Sequence, residues 1–252
     1  MITRDELAQY LAEFLSVDRY SDYAPNGIQI EGKGLIKRIC TAVTASEQVI
    51  EQAVTWQADA LLVHHGYFWR GENPVIAGMK RQRISTLLEH ELNLFAYHLP
   101  LDCHLELGNN ACLAKLFSIQ SVKTHKVANI EHLLWSGFLS KPMSGVAFAA
   151  FLSKQLTREP LHITGSTREV NRVAWCSGAA QDYIEQAAQL GVDAYLSGEV
   201  SERTYYQAKE LGLHYYSCGH HATERYGIQA LGHALANTFS LEHLFIDANN
   251  PV

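Results

Sequence analysis

The sequence has no apolar run near the roughly 20 residues that a membrane-spanning helix requires; VAFAAFL, residues 146–152, is among its longest. It has no C-x-x-C pair, and its five cysteines, Cys40, Cys103, Cys112, Cys176 and Cys218, are odd in number and scattered. That pattern argues against a disulfide framework or a cysteine-held zinc and predicts free thiols. A positive surplus is missing too: the net charge of −6 disfavours adhesion to nucleic acid through phosphate neutralisation. The opening stretch lacks a signal-peptide pattern, because Asp5, Glu6 and Glu13 lie within an amphipathic repeat. These absences predict a cytoplasmic protein without a membrane partner.

What is present is an ordinary globular composition, 47% hydrophobic and 18% charged over 252 residues, enough for one large domain or two modest ones. Histidine is the one excess, with 13. The chain also resembles itself. RICTAVTASEQVIEQAVTWQADALLVHH, residues 38–65, aligns without a gap to RVAWCSGAAQDYIEQAAQLGVDAYLSGE, residues 172–199, at an offset of 134 and with nine identities. Both copies read strand, helix, strand, which predicts a parallel pair with a right-handed crossover. Farther on, ELNLFAYHLPLD at 91–102 matches ELGLHYYSCGHH at 210–221 at an offset of 119, so the first crossover carries 15 more residues, within GYFWRGENPVIAGMKRQR. The expectation is an α/β fold of two similar halves with mixed sheets, residues 1–128 and 129–252, related by an internal repeat.

Ligands of open α/β sheets bind beyond the carboxyl ends of strands, and three polar clusters are expected there. His64 and His65 end ALLV, His98 and Asp102 follow LNLFAY, and His220, His221 and Glu224 follow LHYYS. Gly219 permits a sharp turn into a helix on which His220 and Glu224, four apart, share a face. Imidazole and carboxylate together suit Zn, Fe or Mn, and a carboxylate at Glu224 could bridge two ions. Glu199 stands in the second copy where His65 stands in the first, and reads either as a general acid or base or as a strand-end carboxylate. His98 precedes Asp102 by four residues, but Pro100 between them argues against helical spacing; it reads as a partner of the ligands, a proton shuttle or a structural histidine. Tyr67, Arg70 and Arg81, in the long first crossover, are the candidates for holding a substrate's base and phosphates, against the alternative of packed aromatics beside a solvated helix start. PNG at 25–27 signals a turn, with a substrate-facing loop as the second reading.

VHHGYFW, HLPLD, SGE and GHHATE, in this order, with SDYAPNGIQIEG near the start and FIDANNP near the end, resemble the bacterial family of GTP cyclohydrolase 1 type 2 homologues, also called the NIF-three family. The resemblance spans the whole chain. It implies two divalent metal ions per chain in the cleft between the halves, with His65 and Asp102 on one ion, His64 and His220 on the other, and Glu224 on both. It also implies toroidal homohexamers with the metal sites facing an internal cavity. The activity it implies is hydrolytic opening of a purine nucleotide's imidazole ring with release of formate, a step that metal activation of water suits. Two competing readings are a metal-dependent binding or assembly protein that forms a ring without turnover, and a metal-dependent phosphoesterase.

Overall fold

The computed structural model describes residues 1–252, which form two compact units: 1–101 with 227–249, and 102–226 with 250–252. Residue 128, where the sequence divides by its repeat, falls in the turn of a hairpin inside the second unit. No helix is long and apolar enough to cross a membrane.

The first unit opens with β1 (Ile2–Thr3) and α1 (Arg4–Phe14). Thr3 starts the helix with a reciprocal cap: its hydroxyl accepts from Glu6 N at 3.2 Å, and the Glu6 carboxylate accepts from Thr3 N at 3.0 Å. There follow β2 (Gly27–Ile30), β3 (Leu35–Ile36), β4 (Arg38–Thr44), α2 (Glu47–Thr55), β5 (Ala60–His65), α3 (Gly78–Glu89), β6 (Asn93–Ala96) and α4 (Leu99–Asp102). The chain then builds the second unit from α5 (Asn109–Leu116), β7 (Gln120–Val127), β8 (Ile130–Met143), α6 (Gly145–Leu156), β9 (Leu161–Ile163), β10 (Val170–Trp175), α7 (Ile184–Gln189), β11 (Ala194–Ser197), α8 (Glu202–Leu211), β12 (His214–Ser217) and the start of α9 (His220–Phe239). The rest of α9 and β13 (Glu242–Phe245) belong to the first unit.

In the first unit the sheet order is β13-β4-β5-β6-β2, parallel except for the antiparallel edge strand β2. Alternation along the strands gives it two apolar faces, as a sheet covered on both sides needs. Leu61, Val63, Leu94 and Ala96 pack with Val49 and Ile50 of α2 and Leu87 of α3. Ala60, Leu62 and Phe95 pack on the other face with Leu7 and Leu11 of α1 and Leu231 and Leu235 of α9. In the second unit the order is β7-β8-β10-β11-β12-β9, with β10, β11 and β12 parallel and the others antiparallel. Its core joins Phe148 and Leu152 of α6 to Trp135, Trp175, Leu196 and Tyr216 of the sheet.

The two βαβ segments share their registers: Ile39 pairs with Ala60, and Val173 with Ala194, each 134 residues on. The next strands correct the sequence alignment. Asn93 lies opposite Ala60 and His214 opposite Ala194, an offset of 121 (214 less 93) where similarity of letters suggests 119. Hydrogen bonding across the ladder outweighs the chance match of Glu-Leu pairs, so the first crossover is two residues less overlong than the letters imply. A second correction concerns Pro100. Asp102 sits on a one-turn helix, α4, which Pro100 tolerates because the first-turn N–H groups of a helix have no partner within it.

Candidate functional site

The first unit gathers its polar groups where β5 and β6 end. His64 is fully buried, and its Nδ1–H donates to Tyr97 O at 2.9 Å. That bond selects the neutral tautomer whose lone pair is on Nε2, the usual preparation of a metal-ligating histidine. His65 Nδ1 lies 3.1 Å from Thr44 Oγ1, and its carbonyl accepts from Ala45 N. One nitrogen from each of His64, His65 and His98 lies within 4.8 Å of the others, so these three rings form a group that could hold a cation.

His98 is held by Asp22, which sequence reading did not single out, and by Asn26 of the PNG turn. Its Nδ1 bonds Asp22 Oδ1 at 2.7 Å, and its backbone N–H donates to Asn26 Oδ1 at 2.7 Å. Burial alone would raise the Asp22 carboxyl, but bonds from His98, Asn26 and Leu99 N outweigh it and hold the group down at about 2. The available signal was SDYAPNG, where Asp and Asn flank a proline turn. Trp69 stands edge-on to His98 with ring centres 5.0 Å apart, and 5.9 Å from His65.

Two of the candidate substrate-binding residues are bonded within the fold. Tyr67 is buried and its hydroxyl donates to Ala45 O at 2.7 Å, so the phenol is committed to the core. Arg70 turns back onto the loop around Asp22: its Nη2 donates to Asp22 O at 2.9 Å and its N–H to Tyr23 O at 2.7 Å. It braces that loop. Arg81 is exposed on α3.

In the second unit, Asp102 is buried, and its Oδ1 accepts from Asn109 Nδ2 and Ser177 Oγ, both at 2.8 Å. His220 lies between two carboxylates, with Nδ1 at 2.7 Å from Glu199 Oε1 and Nε2 at 3.0 Å from Glu224 Oε2. Burial lowers its basicity, yet Glu224 and Glu199 raise it further and lift the imidazole up to about 9. A charged imidazole between carboxylates marks a place of surplus negative potential, suited to a cation once the ring gives up its proton. His221 is buried, and its backbone N–H donates to Val252 O at 3.0 Å.

Gly178 is a further residue of this cluster. A Cβ there would come within 2.1 Å of Glu224 Oε1 and 3.2 Å of His220 Nε2, and its φ is +67°. Gly198 N–H donates to Gly178 O at 2.8 Å, and Gly219 N–H to Gly198 O at 2.9 Å, which links the turns after three parallel strands. The signal in the letters was a glycine after each strand, in CSG, LSG and SCG.

The chain thus presents His, Asp and Glu groups of the kinds that hold Zn, Fe or Mn. A model of the Duf34/NIF3 (NGG1p interacting factor 3) family matches residues 2–251. The chain is 52% identical over 247 residues to the GTP cyclohydrolase 1 type 2 homolog of Yersinia pestis, covering 98% of each protein. It is 51% identical over 246 residues to the protein of that name from Allochromatium vinosum, covering 98% of this chain and 96% of that one. A solved structure described as protein ybgI, of unknown function, is similar with a TM-score of 0.95 and 49% identity over 100% of both chains. Sequence and fold agree across almost every residue, and the chain belongs to the Duf34/NIF3 family.

Proposed function

We propose that the chain is a metal-dependent hydrolase that opens the imidazole ring of a purine nucleotide, with His64, His65, Asp102, His220 and Glu224 holding two divalent ions. The carrying observation is His64, a fully buried histidine at a strand end whose Nδ1–H is committed to Tyr97 O. A purely structural histidine needs no such company as His65 and His98, whereas a ligand does. Bound divalent ions would make water a competent nucleophile near neutral pH.

The chain's own groups divide the remaining work. Buried Glu224 is acceptor-only and suits two cations at once, while Asn109 and Ser177 orient Asp102. Glu199, with 37% of its side chain exposed and bonded to His220, suits proton exchange with solvent. His98 is the second proton carrier, beside the His64 and His65 rings. With Tyr67 and Arg70 engaged elsewhere, Trp69, beside the His65 and His98 rings, and exposed Arg81 suit a base and a phosphate. The proposal extends to descent of the two βαβ segments from one duplicated unit, supported by their common registers, and to a homohexameric ring.

The test is formate release from GTP by protein loaded in turn with Zn, Mn or Fe, with His64→Ala and Glu224→Ala as controls. Formate release abolished in both variants supports the reading. Phosphate release without formate would replace it with a phosphoesterase. No turnover, combined with loss of the ring on chelation, would replace it with a metal-dependent assembly protein.

A further inference from the structure

Asp22 carries a bonding pattern that an ionised carboxylate satisfies in full. Oδ1 accepts from His98 Nδ1 at 2.7 Å and Tyr23 N at 2.6 Å, and Oδ2 accepts from Leu99 N and Asn26 Nδ2, both at 2.9 Å. Two of these donors are backbone N–H groups and one is a primary amide, none of which can reverse its role. The side chain is 3% exposed, so water does not substitute for a lost partner. Only the imidazole could change tautomer, and beside an ionised carboxylate its Nδ1 must carry the proton.

We propose that Asp22 is a positioning residue for the chemistry at this site. It fixes the His98 ring in the Nδ1–H tautomer, so that Nε2 is the proton-transferring nitrogen beside His64 and His65. The His98 ring centre stands 5.0 Å from that of His64 and 5.9 Å from that of His65, and Trp69 closes its flank. Asn26 holds the His98 backbone, and Arg70 holds the Asp22 and Tyr23 carbonyls. The loop 22–26 is therefore a clamp on one imidazole, assembled from residues more than 70 positions away in the chain. This role rests on the hydrolase reading for its consequence in turnover, while the tautomer itself does not.

Asp22→Ala is the decisive variant, because it removes both acceptor oxygens and leaves His98 Nδ1 with no carboxylate to donate to. Asn26→Ala is the companion variant: it loosens the same loop but leaves the Asp22–His98 bond. The readout is nitrogen-15 imidazole NMR of the metal-free full-length chain at alkaline pH, with kcat and KM for formate release from the metal-loaded protein.

The expected result is the Nδ1–H tautomer at His98 in the wild type and in Asn26→Ala, and loss of that preference in Asp22→Ala. With it kcat falls about 10- to 100-fold at little change in KM. An Asp22→Ala protein that keeps the Nδ1–H tautomer overturns the proposal, as does one that loses the tautomer with kcat intact. If the wild type releases no formate, the hydrolase reading fails by itself, and the NMR arm alone decides whether Asp22 sets the His98 tautomer.

Discussion

Asp59 and Asp193, 134 residues apart, make the same pair of bonds in different units. Asp59 Oδ2 accepts from Lys37 N at 2.9 Å and Arg38 N at 3.0 Å; Asp193 Oδ2 accepts from Asn171 N at 3.1 Å and Arg172 N at 2.9 Å. Each carboxylate, just before one strand, satisfies the backbone at the start of its parallel neighbour. Burial opposes ionisation of Asp59, but the Lys37 and Arg38 amides and Lys33 overcome it and lower its carboxyl below the usual range.

Removing either carboxylate leaves two strand-start amides without their charged acceptor. Asp59→Ala and Asp193→Ala are each expected to lose about 1.5–3 kcal/mol in urea unfolding, with additive losses in the double variant. For Asp59 the folded group titrates lower than the unfolded one, so its contribution is present above the unfolded value and lost as pH falls through the folded one. Equal stability of Asp59→Ala and wild type at pH 7 would refute the strand-start role.

A histidine pair makes the second unit sensitive to mild acid. His214 Nε2 lies 3.1 Å from the Arg168 carbonyl and so donates to it, and His214 Nδ1 then accepts from His162 Nε2 at 3.0 Å. Burial first, then the neighbouring His214 and Lys209, lowers His162 to about 4. Because the unfolded ring binds protons more readily, this contribution is complete above the unfolded value near 6.5 and is lost as pH falls toward 4. His243, lowered to about 4 by burial and His233, acts in the same window. Unfolding midpoints should fall between pH 6.5 and 4, and His162→Gln should reduce the slope; an unchanged slope would remove His162 from the account.

Gly178→Ala should strike the Glu224 carboxylate directly. The added methyl would lie 2.1 Å from Glu224 Oε1, and the positive φ adds strain of about 1 kcal/mol or more. Gly212→Ala supplies the control, with a φ of +66° and nothing within 4 Å of the new atom. Both variants should lose stability, but only Gly178→Ala should bind Mn or Zn more weakly by calorimetry. Parallel behaviour of the two would mean that the close approach to Glu224 does not matter for binding.

Divalent ions should stabilise the chain by mass action. At a free concentration 100 times Kd the gain is about 2.7 kcal/mol, read as a raised unfolding temperature that a chelator reverses. His64→Ala should remove most of this response. A wild-type unfolding temperature indifferent to Zn, Mn and Fe alike would sink the metal proposal.

Much of the fold was legible because its signals are local. The alternation in ALLV, the helical spacing of GVAFAAFLSKQL and the turn at Gly219 depend on neighbours a few residues away. They correspond to β5, to α6 at Gly145–Leu156 and to a positive φ of +95°. The histidines at strand ends were legible for the same reason, since a strand's end and its next residues are one short stretch of chain. The two-residue error in aligning β6 with β12 arose where similar letters compete with hydrogen-bond register, which only the ladder decides.

The sequence alone determined the βαβ segments, the identity of the polar groups at their ends and membership of the family, because periodicity and residue chemistry are properties of short segments. Tertiary structure decided which way each side chain turns and what it meets. Tyr67 and Arg70 sit beside the histidines in the chain, yet one holds Ala45 and the other the loop at Asp22. Asp22 reaches His98 across 76 positions, and Gly178 makes room for Glu224. Such contacts follow from the packing of whole elements, whose register and direction no local stretch of sequence specifies.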